Sequence, residues 1–247
     1  MSDRSFDPAI TQPPEDLRHA ATELFGDGLP VAERYAGLLA TDGVVRGLIG
    51  PRETSRLWDR HLLNCAALAP VLPRDGYIVD VGSGAGLPGI VLAIARPDVT
   101  VVLVEPLERR TTFLYEAVEA LEIDGRVSVV RARAEDVAAR PEVFHVKPAD
   151  VVVSRALAPL DRLAEWCVPL AAVGGKVMAI KGASAGDEIT AHAPAISRLG
   201  GGAPALRRYG MDAEPTTVVE IIRERVVDRS RGARSNRRDR GVGRSRR

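Results

Sequence analysis

The sequence has no long apolar run: nothing in it approaches the ~20 consecutive residues that a membrane-spanning helix needs. Its first residues also lack the basic-then-apolar pattern of an export signal. A cytoplasmic protein with no membrane partner is therefore expected. Cysteine is scarce. Cys65 and Cys167 lie far apart, each in an apolar helical pattern, which points to two reduced, buried thiols rather than a disulfide framework. No Cys/His cluster has metal-ligand spacing, so no metal is expected. Lysine is nearly absent too, with three Lys among 34 basic residues.

What is present is an ordinary apolar content of 45% and a charged content of 27%, spread over 247 residues. That length accommodates one well-buried α/β domain with additions, or two small ones. The net charge of +1 hides an asymmetry, because the last twenty residues, 228–247, hold nine Arg and two Asp, while residues 1–227 carry −6. This tail has almost nothing apolar to bury and is expected to be disordered. It reads either as a solvated product of an Arg-rich background or as an electrostatic arm for nucleic-acid phosphates. The division expected is a helical extension over 1–75, a cofactor-binding domain over 76–227 and the tail over 228–247.

The extension shows helical apolar spacing at Val31, Tyr35, Leu38 and Leu39, and again at Leu57, Trp58, His61, Leu62, Cys65 and Leu68. From Tyr77 the pattern alternates strand and helix. Strands are expected near Tyr77–Val81, Thr100–Glu105, Val127–Arg131, Asp150–Ser154 and Lys176–Ile180, and helices near Pro88–Ala95, Leu107–Leu121, Leu160–Ala171 and Asp187–Leu199. Near-continuous Val and Ile in the strands suits a parallel sheet covered on both faces. Residues 203–227 read as two further strands, an antiparallel edge hairpin. The fold class expected is α/β: a doubly wound, mostly parallel, Rossmann-like sheet with an antiparallel edge.

The first strand carries Asp80 and breaks into Gly82-Ser83-Gly84-Ala85-Gly86-Leu87-Pro88-Gly89 before a helical pattern. Strand, glycine turn and helix is the layout that seats a nucleoside cofactor at a helix N-terminus. Two fingerprints overlap here. Gly84-x-Gly86-x-x-Gly89 matches a dinucleotide loop, whereas Asp80-x-Gly82-x-Gly84-x-Gly86 fits S-adenosyl-L-methionine. A dinucleotide brings an anionic pyrophosphate, while S-adenosyl-L-methionine carries an ammonium and a sulfonium that Asp80 complements, and this favours the methyl donor. Glu105, ending the second strand, is placed to accept ribose hydroxyls in either case, or to cap the following helix. Ala134 and Glu135 follow the third strand, where they could bracket an adenine. Arg155 and Lys181 end the fourth and fifth strands as rim cations facing a carboxylate or phosphate, or, for Arg155, as a structural partner of Asp80 or Glu105.

Two methyl-transfer chemistries lack their residues. No Asn/Asp-Pro-Pro-aromatic tetrapeptide follows the fourth strand, as methylation of an exocyclic amine would require, and no Cys stands there for a covalent pyrimidine mechanism. A ring nitrogen with a free lone pair needs neither, and in-line attack can run on positioning, worth ~7–11 kcal/mol in favourable cases.

Gly50-Pro51-Arg52-Glu53, Trp58-Asp59-Arg60-His61-Leu62-Leu63-Asn64, the loop Asp80–Gly89, Arg110 with Phe113-Leu114, Arg133-Ala134-Glu135 and Ser154-Arg155-Ala156 occur in one order. Together they resemble the bacterial small-subunit ribosomal RNA guanine-N7 methyltransferases, the glucose-inhibited division protein B family. The resemblance implies a class I methyltransferase fold and methyl transfer from S-adenosyl-L-methionine to N7 of a guanine in 16S rRNA, in the small subunit or its assembly intermediate. It implies cofactor contacts at Gly82, Leu87, Ala134, Glu135 and Arg155, beside the loop and strand residues Asp80, Gly84, Gly86 and Glu105. His61, Asn64 and Arg155 are positioning candidates; Arg60, His61 and Lys181 are candidate RNA contacts; a monomer is expected. The chain departs from the family pattern at Glu105, where Asp is common, at Gly47-Leu48-Ile49 and at Pro215-Thr216-Thr217. Two other functions use the same loop: an NAD(P)-dependent oxidoreductase, and a non-catalytic S-adenosyl-L-methionine-binding RNA module.

Overall fold

A computed structural model of the chain describes residues 11–210 and 215–227. The expected disordered tail and the first part of the polar lead-in lie outside the described residues. Strands form at Tyr77–Val81 (β1), Thr100–Val104 (β2), Val127–Val130 (β3), Ala149–Arg155 (β4), Ala171–Ile180 (β5), Ala205–Tyr209 (β6) and Thr216–Ile222 (β7). They make one sheet in the order β3-β2-β1-β4-β5-β7-β6. The first five run parallel, while β7 pairs antiparallel with both β5 and β6. The chain thus winds outward from β1 to β3, then returns to β4 and winds the other way, leaving a switch point between β1 and β4.

β1, β2, β4 and the second half of β5 alternate their apolar residues between two covered faces, which explains the unbroken Val and Ile runs. Ile78, Val101, Leu103, Val151, Val153 and Met178 share one core with helices α4 (Gly89–Ala95) and α5 (Glu108–Ala120). That core also takes in Ala21 and Phe25 of α1 (Arg18–Phe25), Tyr35 of α2 (Leu29–Leu38), and Leu57, Trp58 and Leu62. The N-terminal helices therefore form part of the layer covering the sheet. Val79, Val102, Val152, Val177 and Val219 face the other core, under α6 (Ala134–Ala139), α7 (Leu160–Cys167) and α8 (Ala185–Arg198). Both cysteines are free and buried.

The segment predicted as one helix from Leu57 is π-helical over Leu57–Leu63 and continues as α3, Asn64–Ala66. β5 begins five residues earlier than expected, at Ala171, because Gly174 and Gly175 in its first half interrupt the apolar run that would reveal it. The predicted helix to Ala171 accordingly stops at Cys167, followed by a 3-10 turn, Val168–Leu170. Register then builds the rim. Val81 pairs with Val104, so Gly82 and Glu105 emerge side by side, and Arg155 pairs with Ile180, so Arg155 and Lys181 emerge next to each other.

Candidate functional site

The loop after β1 turns sharply, with Gly82, Gly84 and Gly86 all at positive φ, a conformation that a β-carbon opposes. Its two ends are tied by carboxylates. Asp80 Oδ2 accepts the N–H of Gly89 at 2.9 Å, fixing the start of α4 against β1. A β-carbon on Gly89 would come within 2.7 Å of that oxygen, so only glycine fits. Glu105 Oε2 accepts the N–H of Gly84 at 3.0 Å, and its Oε1 accepts that of Leu107 at 3.1 Å. From the other side the buried hydroxyl of Tyr35 donates to the carbonyl of Ala85 at 2.6 Å.

This loop walls a cavity of about 530 Å³ at the switch point, within the range of small-ligand sites. Of the expected residues, Gly82, Gly84, Leu87, Glu105, His61 and Arg155 line it. Leu48 and Ile49 line it as well, so the departure at 47–49 places apolar side chains in its wall. Arg110, quoted above only as part of a motif, also lines it. Its Nη1 stands 3.5 Å from Glu105 Oε2, and its buried Nε has no hydrogen-bond partner. Reaching the rim from the first turns of α5, Arg110 left no sequence signal beyond its motif.

Asp80 does not line this cavity, contrary to the expectation that it would face a cationic cofactor. It is fully buried, turned to Gly89, with Oδ1 lacking any partner. Burial, with a smaller push from Glu105, raises its carboxyl from 3.8 to about 7, the Gly89 bond offsetting part of the rise. Gly86 faces inward, toward Ile90 and Tyr35. Ala134 and Glu135 open α6 after β3, outside the cavity's lining, with Glu135 weakly paired to Arg133 at 3.9 Å.

A second cavity of about 420 Å³ lies beyond Arg155 and Ala156, which line both. Asp59, Arg60, Asn64, Lys181 and Pro215 help to line it. Arg155 does not pair with Asp80 or Glu105. Its Nη1 donates to Cys65 Sγ at 3.5 Å, and its Nη2 to the Arg60 carbonyl at 3.0 Å and to His61 Nδ1 at 2.9 Å. These three partners are neutral, so the guanidinium charge is left for an anion. Burial and then Arg155 lower the pKa of His61, against the pull of Glu53. Cys65 is pushed up to about 11 by burial, against Arg155, so it is a thiol here.

Asn64 spends its amide on Thr216, at 2.8 Å, and accepts the Thr216 hydroxyl at its own carbonyl. Lys181, expected to await phosphate, is already engaged: its ammonium donates to Glu188 at 2.8 Å and to the Ala158 carbonyl at 2.7 Å. With its side chain only 10% exposed, a free ammonium there would be costly, and Glu188 from α8 supplies the charge. Among the described residues no cluster of three or more His, Cys, Asp or Glu could hold a metal ion, and no helix is long and apolar enough to cross a membrane.

Comparison with known proteins identifies the family of the chain. A family model described as rRNA small subunit methyltransferase G matches residues 29–206. A protein of Salinispora arenicola named ribosomal RNA small subunit methyltransferase G is 59% identical over 232 residues, covering 93% of this chain and 96% of its own. One of the same name from Mycolicibacterium gilvum is 50% identical, covering 91% of this chain and 97% of its own. Among solved structures, cofactor-bound Rv0187 from MTB aligns with a TM-score of 0.55 at 18% identity, over 86% of this chain and 99% of that one. At that identity the likeness concerns the fold.

Proposed function

The chain belongs to the rRNA small subunit methyltransferase G family, and from that premise we propose that it moves a methyl group from S-adenosyl-L-methionine to N7 of a guanine in 16S rRNA. The observation that carries this reading is the pair of cavities divided by Arg155 and Ala156, one walled by the glycine loop and one rimmed by Arg60 and Lys181. Methyl transfer needs this plan: a donor and an acceptor brought face to face, with water kept out.

The residues present fit the donor. Gly82 and Gly84 expose backbone to the cavity, Glu105 brings a carboxylate for ribose hydroxyls, and Arg155 brings an uncompensated cation for a carboxylate. When bound, the donor supplies a methyl group on cationic sulfur. Glu105 would exchange its bonds to Gly84 and Leu107 for, or share them with, the ribose, while Arg110 stays beside it. Asp80 acts one step away, holding the loop closed at Gly89. Ala134 and Glu135, beyond the cavity's lining, are assigned to the far end of the nucleoside. The second cavity takes the base. N7 of guanine already carries its lone pair, so these residues have only to orient it, and neutral His61 beside Arg155 requires no proton to be moved.

Titration separates this reading from the oxidoreductase alternative. S-adenosyl-L-methionine should bind and NADH should not; NADH binding without S-adenosyl-L-methionine binding overturns the proposal. Glu105→Ala should weaken cofactor binding by ~1–3 kcal/mol, the cost of a lost buried acceptor, read by calorimetry. Unchanged affinity would confine Glu105 to holding the loop.

A further inference from the structure

Glu53 lies outside the lining of both cavities, on the 3-10 segment Pro51–Arg56, yet it terminates a chain of bonds that ends in the wall between them. Its Oε2 is 3.2 Å from His61 Nε2, and His61 Nδ1 is 2.9 Å from Arg155 Nη2. A guanidinium can only donate, so Nδ1 must be the acceptor. The proton of neutral His61 therefore sits on Nε2 and points at Glu53. Imidazole is directional here: one end is fixed by a carboxylate, and the other end fixes Arg155.

We propose that Glu53 is a positioning residue for methyl transfer: by accepting the Nε2 proton of His61 it keeps Nδ1 an acceptor, and so holds Arg155 in the wall that the two cavities share. This rests on the reading that one cavity takes the cofactor and the other the base. The groups facing His61 come from three places. Glu53 precedes it, Arg60 is its neighbour and bonds the same carboxylate at 3.3 and 3.4 Å, and Arg155 reaches across from β4. Protonating His61 puts a hydrogen on Nδ1 facing the guanidinium, which ends the bond and repels Arg155. Activity should therefore fall on the acid side as His61 charges, at a pH below its ordinary 6.5.

The test uses the full chain, labelled S-adenosyl-L-methionine and undermethylated small subunits, with kcat followed across pH for the wild type, Glu53→Gln and Glu53→Ala. Glu53→Ala should lose about tenfold in kcat, the loss expected from one hydrogen bond to a partly exposed carboxylate. Glu53→Gln should recover most of it, because the amide oxygen accepts the same proton. Its acid limb should move to lower pH by at least about half a pH unit, because the carboxylate that stabilised the imidazolium is gone. An unmoved limb in the Gln variant, or equal losses in both variants, would make Glu53 a structural residue only.

A second readout does not depend on turnover. In protein labelled with nitrogen-15 at histidine, His61, assigned by its loss in His61→Gln, should show its proton on Nε2 in the wild type and a tautomer mixture in Glu53→Ala. A proton on Nδ1 in the wild type overturns the proposal. Failure of the wild type to transfer methyl would instead defeat the functional reading, leaving the tautomer result to judge Glu53.

Discussion

Asp80 and Glu105 are both carboxylates at strand ends beside one glycine loop, yet their surroundings give them different roles. Glu105 collects two backbone N–H groups and Arg110, so both of its oxygens are engaged, whereas Asp80 has one N–H and an orphan oxygen. The consequence for Asp80 is a stability slope. Its folded value of about 7 lies above the ordinary 3.8, so the folded state keeps a proton that the unfolded chain releases. The contribution is complete below the unfolded value and is lost as pH rises through the folded one. Asp80→Asn keeps an acceptor for Gly89 but cannot titrate. Unfolding free energies of wild type minus variant should therefore decline between about pH 4 and 7, with a slope of at most roughly 1.4 kcal/mol per pH unit, the value for one proton. A flat difference would mean that water or a cation reaches Asp80.

At the scale of elements, most strands were legible because Val- and Ile-rich runs are bounded by Gly, Pro and Asp; β1 matches its expected ends, Tyr77 and Val81. Others were hidden for physical reasons. α6 is only six residues, too short for a helical period to register, and Gly174-Gly175 masked the first half of β5. The contact between Glu53 and His61 spans eight residues and depends on how a 3-10 turn meets a π-helical one, which no periodicity encodes. The turning inward of Asp80 and the pairing of Lys181 with Glu188 were likewise invisible, since each depends on a side-chain direction or on a partner in another element. The link between α2 and the glycine loop belongs to this scale. Tyr35→Phe strands the Ala85 carbonyl, and it should cost ~1–3 kcal/mol in unfolding free energy and weaken cofactor binding. Lower stability with unaltered cofactor affinity would show that the loop holds its shape without the helix.

At the scale of the molecule, the sheet serves to bring residues far apart in sequence to one rim. His61 comes from the helical layer with Glu53 bonded behind it, Gly82 follows β1, Glu105 follows β2 and Arg155 ends β4, and His61, Gly82, Glu105 and Arg155 meet where the winding reverses. The helical layer contributes to both cavities, through Ile49 and His61 to one and through Arg60 and Asn64 to the other, so it builds the site as well as covering the sheet. In the proposed function these residues serve one event, the crossing of a methyl group from the loop-side cavity to a guanine held beyond Arg155. The most direct measurement is transfer of labelled methyl to undermethylated 30S subunits and to naked 16S rRNA, followed by nucleoside digestion and mapping of the labelled position. Label should appear in 7-methylguanine at a single site on at least one of the two substrates. Label on any other base, or none on either substrate while S-adenosyl-L-methionine binds, would contradict that crossing.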